Sequence, residues 1–276
     1  MSLTMTAQGD VTAEINFYRA PADGSAPFAY VEQPPAGQPQ QNFSQTTQQV
    51  PLRDIRGHED EYSLAKDAFQ VFRGVPSAMS YAQFDSDEAI REIYYPETER
   101  FLLEHVPGAQ RVVIFDHTVR KHDPSASRQP VTYAHVDQTA AAAEARVRRS
   151  IADPAEAEKL AQGRFRIINV WRPINGRVES LPLAFASGSS TDPADLIPVQ
   201  RRYPTFTGET MSVQYRPSQK WLYWSHVDDD ERILLQCSDN QPGAVARVPH
   251  AAFVHPRSPA DAKPRESIEV RALVFD

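Results

Sequence analysis

The sequence predicts a mainly β protein with a helical buttress, an α+β chain built as a barrel or jelly roll. Helical patterns occur between residue 58 and residue 111, and short apolar segments with β-branched residues recur from there to the C-terminus. The 23 prolines against 11 glycines indicate many short elements with structured connections. We expect a single domain over 1–276, with 1–57 as an N-terminal arm or strand extension and 111–276 as the jelly-roll core.

The first third of the chain is predicted to hold a strand, an arm and two helical stretches. Residues 12–20 alternate as a strand does, and residues 21–50 are rich in Pro, Gln and Gly, which favours an extended arm. Residues 58–72 have apolar side chains at helical spacing and acids in the first turn, which predicts a helix. Ser86 is expected to cap a second helical stretch, which Pro96 splits.

The remainder of the chain is predicted to be rich in strands. The alanine-rich residues 138–152 favour a helix, followed by a short helix at 154–162. Apolar and β-branched runs predict strands at 111–115, 131–137, 164–171, 182–187, 209–216, 220–226, 232–238, 245–254 and 266–275.

Charge and composition exclude several classes of protein. The net charge is −7, with acids and bases mixed, which is unfavourable for binding nucleic acid. The single cysteine, Cys237, allows neither an internal disulfide nor a thiolate zinc site. No secretory signal pattern and no apolar run of membrane-spanning length is present, so we expect a cytoplasmic protein without a membrane partner. The oligomeric state is left open.

The motif His135-Val136-Asp137 carries the main chemical signal. On a strand, residues i and i+2 point to the same face, with their backbones about 6–7 Å apart, so this imidazole and carboxylate project side by side. Two histidines and one carboxylate on one face of an octahedral metal leave open positions, which is the ligand set of non-haem Fe(II) oxygenases. A His-x-Asp pair alone is more often a surface pair, so a third ligand is required.

Three histidines are candidates for that third ligand. His226 precedes a run of four acids, which is typical of a solvated turn, and His255 begins a loop rich in Pro and Ser. His250 lies on the short apolar segment VARVPHAAFV and is the preferred candidate.

An arginine and a serine near the C-terminus form a candidate anion site. Arg265 and Ser267 share one face of the last predicted strand, and a guanidinium holds a carboxylate through two parallel hydrogen bonds. Arg271 lies further along the same face and is the competing carboxylate binder. The structural alternative is a set of surface salt bridges with Glu266 and Glu269.

These residues belong to a set of segments that together resemble a known family. The chain resembles the fungal secondary-metabolism hydroxylase/desaturase family, which also contains gibberellin-desaturase-like and cephalosporin methoxylase-like proteins. The resemblance covers about residues 60 to 276. It rests on the segments VVIFDHTVR (112–120), YAHVDQT (133–139), INVWRPI (168–174), DERILLQCSDN (230–240), PHAAF (249–253) and RESIEVRALVF (265–275).

The resemblance implies a double-stranded β-helix, a jelly roll of the cupin-like kind, with one Fe(II) and 2-oxoglutarate as co-substrate. It assigns the metal to His135, Asp137 and His250, and the co-substrate to Arg265 and Ser267. The implied reaction uses O₂ to hydroxylate or desaturate a small natural-product intermediate through a ferryl species. The long gaps from Asp137 to His250 and from His250 to Arg265 depart from typical plant-type oxygenases.

Tyr133, Asn169 and Arg172 are candidates either for contact with co-substrate or substrate or for a structural role. Tyr133 shares the face of His135 and is either a co-substrate contact or a core tyrosine. Asn169 and Arg172 point to opposite faces of their strand, and either is a candidate to reach co-substrate or substrate. The alternative functions are a non-oxidative metal-dependent hydrolase or isomerase and a non-catalytic small-molecule binding jelly roll.

Overall fold

The computed structural model describes residues 8–121 and 129–276, in which the strands form two sheets. The strands are β1 (Val11–Arg19), β2 (Phe28–Tyr30), β3 (Ser44–Asp54), β4 (Phe69–Phe72), β5 (Arg111–Arg120), β6 (His135–Val136), β7 (Phe165–Pro173), β8 (Leu183–Ala186), β9 (Leu196–Arg202), β10 (Thr207–Val213), β11 (Trp221–Tyr223), β12 (Arg232–Asp239), β13 (His250–Ala252) and β14 (Ser267–Phe275).

One sheet has nine strands in the order β1-β3-β11-β8-β13-β6-β10-β9-β2, and the other has five in the order β4-β12-β7-β14-β5. Only β3 with β11 and β2 with β9 pair in parallel among the described strands. The largest apolar cluster draws on both sheets, with Ile15, Leu52 and Val136 from the larger one and Ile167 and Leu273 from the smaller. The two sheets therefore face each other across one core, as the predicted jelly roll requires.

One group of helices covers the outer face of the smaller sheet, and another contributes Ala143, Val147 and Ala157 to the core between the two sheets. The helices are α1 (Leu64–Asp67), α2 (Asp87–Ala89), α3 (Tyr95–His105), α4 (Ala140–Ser150) and α5 (Pro154–Gln162). Phe101 and Leu102 of α3 pack in one cluster with Val170 and Val274 of the five-stranded sheet. The predicted helical buttress is confirmed, and it lies on the outer face of the smaller sheet.

The helix predicted over 58–72 is wrong. Only Leu64–Asp67 forms an α-helical turn, Ala68 adopts a left-handed conformation with φ 60°, and Phe69–Phe72 is strand β4. Strand β4 pairs with β12, and Phe69 packs against Phe185 with ring centroids 4.4 Å apart. Pairing at the edge of the sheet therefore overrides the helical spacing of the apolar side chains, which serves a strand equally well.

The second helical stretch is capped as predicted. The Ser86 side chain accepts a hydrogen bond from the backbone N–H of Ala89. The helix does not break at Pro96. Instead α2 continues through a π-helical turn, Ile90–Tyr94, into α3, with Pro96 in the first turn of α3. A wider turn at this point absorbs the hydrogen bond that proline cannot make.

The predicted arm is shorter than the sequence suggested. Residues 44–50 lie in β3, which pairs along its whole length with β1 and joins the nine-stranded sheet at β11. The strand predicted over 131–137 shrinks to β6, while β9 was not predicted. The jelly roll thus takes in strands from residues 1–57 as well as from 111–276.

Side chains alternate along β7 and β14, so polar residues point either into the jelly roll or to the outer face that the helices cover. On β14, Glu269 and Arg271 alternate with Ile268 and Val270, which pack against the α2–α3 helical region. On β7, Asn169 lies on the inner face and Arg172 on the outer face. This division decides which predicted site residues reach the interior of the jelly roll.

Candidate metal centre

Strand pairing brings His250 to the His135-x-Asp137 motif. Strand β13 pairs with β6 in an antiparallel bridge in which His250 lies directly opposite His135. Side chains that face each other across such a bridge are in contact, and the two imidazole centroids are 4.4 Å apart. The bridge joins residues 115 positions apart in the sequence (250 minus 135), which no local pattern reveals.

The three side chains converge on one point. One potential ligand atom from each of His135, Asp137 and His250 lies within 4.8 Å of the other two. His135 Nε2 is 3.5 Å from Asp137 Oδ1. Within residues 8–121 and 129–276 this is the one cluster of its kind, and neither His226 nor His255 belongs to it. His255 instead contacts the Tyr223 hydroxyl through Nε2, at 3.2 Å.

Backbone carbonyls fix the tautomer of both histidines. His135 Nδ1 lies 3.0 Å from the carbonyl oxygen of Tyr133, and His250 Nδ1 lies 3.2 Å from that of Val248. A carbonyl can only accept, so each Nδ1 carries a proton, and in the neutral imidazole the lone pair then lies on Nε2. Burial, and then the neighbouring His135, lowers the pKa of His250, which favours the neutral form that binds a metal.

The two oxygens of the Asp137 carboxylate have different surroundings. Its Oδ2 accepts hydrogen bonds from Asn169 Nδ2 and Arg271 Nε, each at 2.8 Å, while Oδ1 faces His135. Burial opposes ionisation, but Arg271 and the two histidines outweigh it and hold the pKa of Asp137 well below its usual range. The carboxylate is therefore ionised, with one oxygen available to a cation.

Arg271 belongs to a network behind the carboxylate. Its Nη1 donates to Asp116 Oδ1 at 2.9 Å and to Thr118 Oγ1 at 3.1 Å, and its Nη2 donates to Glu269 Oε2 at 2.8 Å. Asn169 Nδ2 also donates to Glu269 Oε1, at 2.9 Å. Asn169 and Arg271, both predicted as candidates for co-substrate contact, thus donate hydrogen bonds to the Asp137 carboxylate.

Asn169→Ala is expected to weaken divalent metal binding by about 10- to 100-fold, the usual cost of losing a partner of a metal ligand. The reason is that Asp137 Oδ2 loses one of its two donors and the carboxylate becomes free to rotate. Calorimetric titration with Co(II) measures this. Asn240→Ala is the control. The Asn240 side chain accepts a hydrogen bond from the Phe165 N–H and donates one to the Gly163 carbonyl, away from the centre. Equal metal affinity in both variants would reduce Asn169 to a structural role.

Arg265 lies beside the same centre. It is 6% exposed, its Nη1 donates to the carbonyl of Leu181, and its guanidinium carbon is 5.4 Å from the Trp171 ring centroid. Its Nε is buried and has no hydrogen-bond partner in the described part of the chain. Burial, and then Arg120, lowers its pKa to about 9, so the pocket favours a bound anion.

A cavity of about 30 Å³ links Arg265 to the histidines. Its lining residues are Arg120, Val131, His135, Trp171, Leu183, His250, Ala251, Ala252, Arg265 and Glu269. This volume holds about one water molecule. It shares Arg120, Val131 and His135 with an open cavity of about 440 Å³. A larger ligand therefore has to extend from one cavity into the other.

The remaining predicted residues lie at varied distances from the centre. Tyr133 lines the open cavity, with its ring centroid 5.4 Å from that of His135. Ser267 is buried at the start of β14 and lines neither cavity. Arg172 lies on the outer face of β7, where its Nε donates to the Pro173 carbonyl and its guanidinium lies over the rings of Phe84 and Tyr94. The structure therefore does not bring Arg172 to the centre.

Sequence reasoning missed most of the wall of the open cavity. It includes Arg146 and Arg149 of α4, and Arg201, Tyr203 and Glu209 of the β9–β10 hairpin. The spacing of Arg146 and Arg149 by three places them on one helix face, which was the available signal. The β9–β10 hairpin offered no comparable signal in the sequence, because β9 was not predicted.

No helix in 8–121 and 129–276 combines the length and low polarity needed to cross a bilayer.

A family model described as Oxidoreductase/YMDC permease-like domain matches residues 15–275. The hydroxylase/desaturase poxK of Penicillium oxalicum (strain 114-2 / CGMCC 5302) is 31% identical over 306 residues, which cover 100% of this chain and 94% of poxK. The Fe(II)/2-oxoglutarate-dependent dioxygenase nvfI of Aspergillus novofumigatus (strain IBT 16806) is 32% identical over 269 residues, which cover 95% of this chain and 96% of nvfI.

Among solved structures, the iron and alpha-ketoglutarate-dependent endoperoxidase NvfI superposes with a TM-score of 0.85 at 30% identity, covering 97% of this chain and 98% of that one. This likeness extends over both sheets and confirms the predicted jelly roll. Together with the family model and the curated relatives, it shows that the chain belongs to the fungal hydroxylase/desaturase family of Fe(II)/2-oxoglutarate-dependent dioxygenases.

Proposed function

We propose that His135, Asp137 and His250 hold Fe(II), that Arg265 pairs with the distal carboxylate of 2-oxoglutarate, and that the enzyme hydroxylates or desaturates a small natural-product intermediate. The observation that carries this proposal is the convergence of one imidazole nitrogen from each histidine and one carboxylate oxygen within 4.8 Å. Two neutral imidazoles and one carboxylate form the facial donor set that suits non-haem Fe(II) and leaves positions open.

The protein fits 2-oxoglutarate as well as the metal. A buried guanidinium whose Nε lacks a partner among the described residues is a costly arrangement, and a bound carboxylate relieves it through charge-assisted hydrogen bonds. Arg265 shares its small cavity with His135 and His250, so an anion bound there lies next to the metal ligands. Ser267 remains a weaker candidate for the same carboxylate.

When bound, the iron with its co-substrate and O₂ supplies an oxidant able to remove hydrogen from an unactivated C–H bond. The chain's own residues position the proposed metal ligands and shield the site from water. The carbonyls of Tyr133 and Val248 accept from both Nδ1–H groups and so orient the two rings, and Asn169 and Arg271 hold Asp137 in one orientation. Val131, Leu183, Ala251 and Ala252 give the small cavity apolar walls that limit access of water.

We also propose that residues 1–276 act as one oxygenase domain. Strands β1 and β3 pair within the same nine-stranded sheet as β6 and β13, which carry His135 and His250. An N-terminal segment that completes this sheet supports a single folding unit rather than a separable arm.

Conversion of 2-oxoglutarate to succinate is expected to require Fe(II), O₂ and 2-oxoglutarate together, since each is used in one reaction. Succinate is quantified by chromatography, with one component omitted at a time. In parallel, anaerobic titration of the Fe(II) protein with 2-oxoglutarate is expected to give the weak visible absorption of an iron-bound keto acid. Turnover of an organic substrate without O₂ and 2-oxoglutarate would instead favour a hydrolase or isomerase. Loss of both signals would favour a binding module.

A further inference from the structure

The open cavity of about 440 Å³ begins at the metal centre and has walls of distinct chemistry. His135 and Asp137 line its inner end, α4 contributes Arg146 and Arg149, and the β9–β10 hairpin contributes Arg201. We call these three arginines the arginine rim. Since the cavity is continuous with the centre, a molecule held at the rim lies next to the site of oxidation.

The described protein offsets the positive charge of the arginine rim only in part, through the charge of Asp116 near Arg146. No ion pair to a carboxylate joins Arg146, Arg149 or Arg201 within 8–121 and 129–276. Arg148, on the same helix, contrasts with them because it pairs with Glu144 at 2.8 Å and Glu158 at 3.0 Å. Arg271 also lines the cavity but is paired with Asp116, Asp137 and Glu269, so the three arginines of the rim differ from both Arg148 and Arg271.

Burial and mutual repulsion make this arrangement unfavourable without an anion. Arg146 is half-buried, and burial followed by the charge of Arg149 lowers its pKa. Two acids outside the metal ligands also line the cavity, but both are already engaged. Asp116 accepts from Arg271 at 2.9 Å, and Glu209 accepts from the Thr139 hydroxyl at 2.7 Å. The cavity therefore favours a further anion at the rim.

An apolar surface adjoins the rim. Tyr203 and Phe206 stack with ring centroids 4.3 Å apart and an interplanar angle of 10°. They are 38% and 45% exposed, and the guanidinium of Arg149 lies 5.3 Å from the Phe206 centroid. An exposed aromatic pair at the mouth of a polar cavity offers contact area to a carbon skeleton.

We propose that the substrate is an organic acid whose carboxylate binds the arginine rim while its apolar skeleton lies against Tyr203 and Phe206. This proposal rests on the proposed function, since it names the substrate class of the same site. A monoanionic carboxylate fits better than a phosphate dianion because Asp116 and Glu209 also face the cavity. A carboxylate of 2-oxoglutarate has the same chemistry, so the test must separate the two molecules.

The test compares 2-naphthoate with 2-naphthamide, which has the same rings and no charge. Both are titrated calorimetrically into the anaerobic protein loaded with Fe(II) and 2-oxoglutarate. The acid is expected to bind about 10- to 100-fold more tightly, the difference that charge-assisted hydrogen bonds provide. Arg146→Met and Arg201→Met should each remove most of this preference, and raising the salt from about 50 to 500 mM should reduce it. Arg148→Met is the matched control and should retain it.

Three outcomes would overturn the proposal. The first is equal binding of acid and amide, the second is equal loss in Arg148→Met, and the third is tighter rim-dependent binding of 2-naphthyl phosphate. Titration of 2-oxoglutarate into the same variants should show an unchanged Kd; weakening there instead would assign the rim to the co-substrate. The visible absorption of the same loaded samples separates the two proposals. A rim-dependent preference for the acid in protein that gives no iron-bound keto-acid absorption after loading with Fe(II) and 2-oxoglutarate would contradict the proposed function alone.

Discussion

Alanine at His250 is expected to abolish metal binding and, with it, conversion of 2-oxoglutarate to succinate. The loss should exceed the 10- to 100-fold that partners of ligands typically contribute, because a donor atom itself is removed. Asp137→Asn is expected to act similarly, since it replaces the ionised carboxylate with a neutral amide and places NH₂ near the donors Asn169 and Arg271. Metal content after anaerobic reconstitution and the rate of succinate formation are the measurements.

The matched controls are the two histidines that the sequence left as competing ligands. His255→Gln and His226→Gln are expected to keep the metal, because neither lies in the cluster. His255→Gln should lower thermal stability, since the imidazole is 3% exposed and contacts the Tyr223 hydroxyl. Full metal occupancy in His250→Ala, or its loss in His255→Gln, would contradict the ligand assignment.

Arg265→Met is expected to raise the Kd for 2-oxoglutarate while leaving the metal bound. Removing one partner of a buried charge pair costs roughly 2–4 kcal/mol, which is about 30- to 1,000-fold in Kd. Methionine keeps much of the buried volume, so the apolar contact with Trp171 is largely retained. The Kd is measured by anaerobic titration of the visible absorption, and metal content is measured separately.

Arg172→Met provides the comparison for this variant. Arg172 is also a buried arginine, at 4% exposure, but it lies on the outer face of β7 against Phe84 and Tyr94. It should lower stability without changing the Kd for 2-oxoglutarate. If Arg172→Met weakened the co-substrate as much as Arg265→Met, the assignment of the distal carboxylate to Arg265 would be wrong.

Local patterns predicted those elements whose residues interact with near neighbours. The helices at α4 and α5 follow from alanine-rich and capped segments, and Thr139 and Asp153 accept the expected backbone hydrogen bonds. The helix predicted over residues 58–72 was wrong because the apolar side chains there are compatible with both a helix and an edge strand. Pairing with β12 favours the strand. The choice was made by a partner more than 150 residues away.

In the candidate site, too, distant contacts separate two residues that the local sequence pattern treats alike. The alternation pattern of the sequence places Arg265 and Arg271 on one strand face, but β14 begins only at Ser267. Arg271 contacts three carboxylates from β5, β14 and the His135-x-Asp137 motif, whereas Arg265 contacts Trp171 and a backbone carbonyl. Their surroundings therefore differ, and we propose on that ground that Arg271 positions Asp137 while Arg265 binds an anion.

The sequence by itself determined the mainly β class, the helical buttress and the side-by-side projection of His135 and Asp137, because these depend on periodicities of two and 3.6 residues. Tertiary structure decided that His250 completes the centre, that Asn169 and Arg271 hold Asp137, and that α4 and the β9–β10 hairpin bring three arginines to one cavity. These contacts join β6, β7, β13 and β14 around Asp137, and α4 and the β9–β10 hairpin around the open cavity. Strand register across long loops is set by packing of the whole core rather than by any local segment.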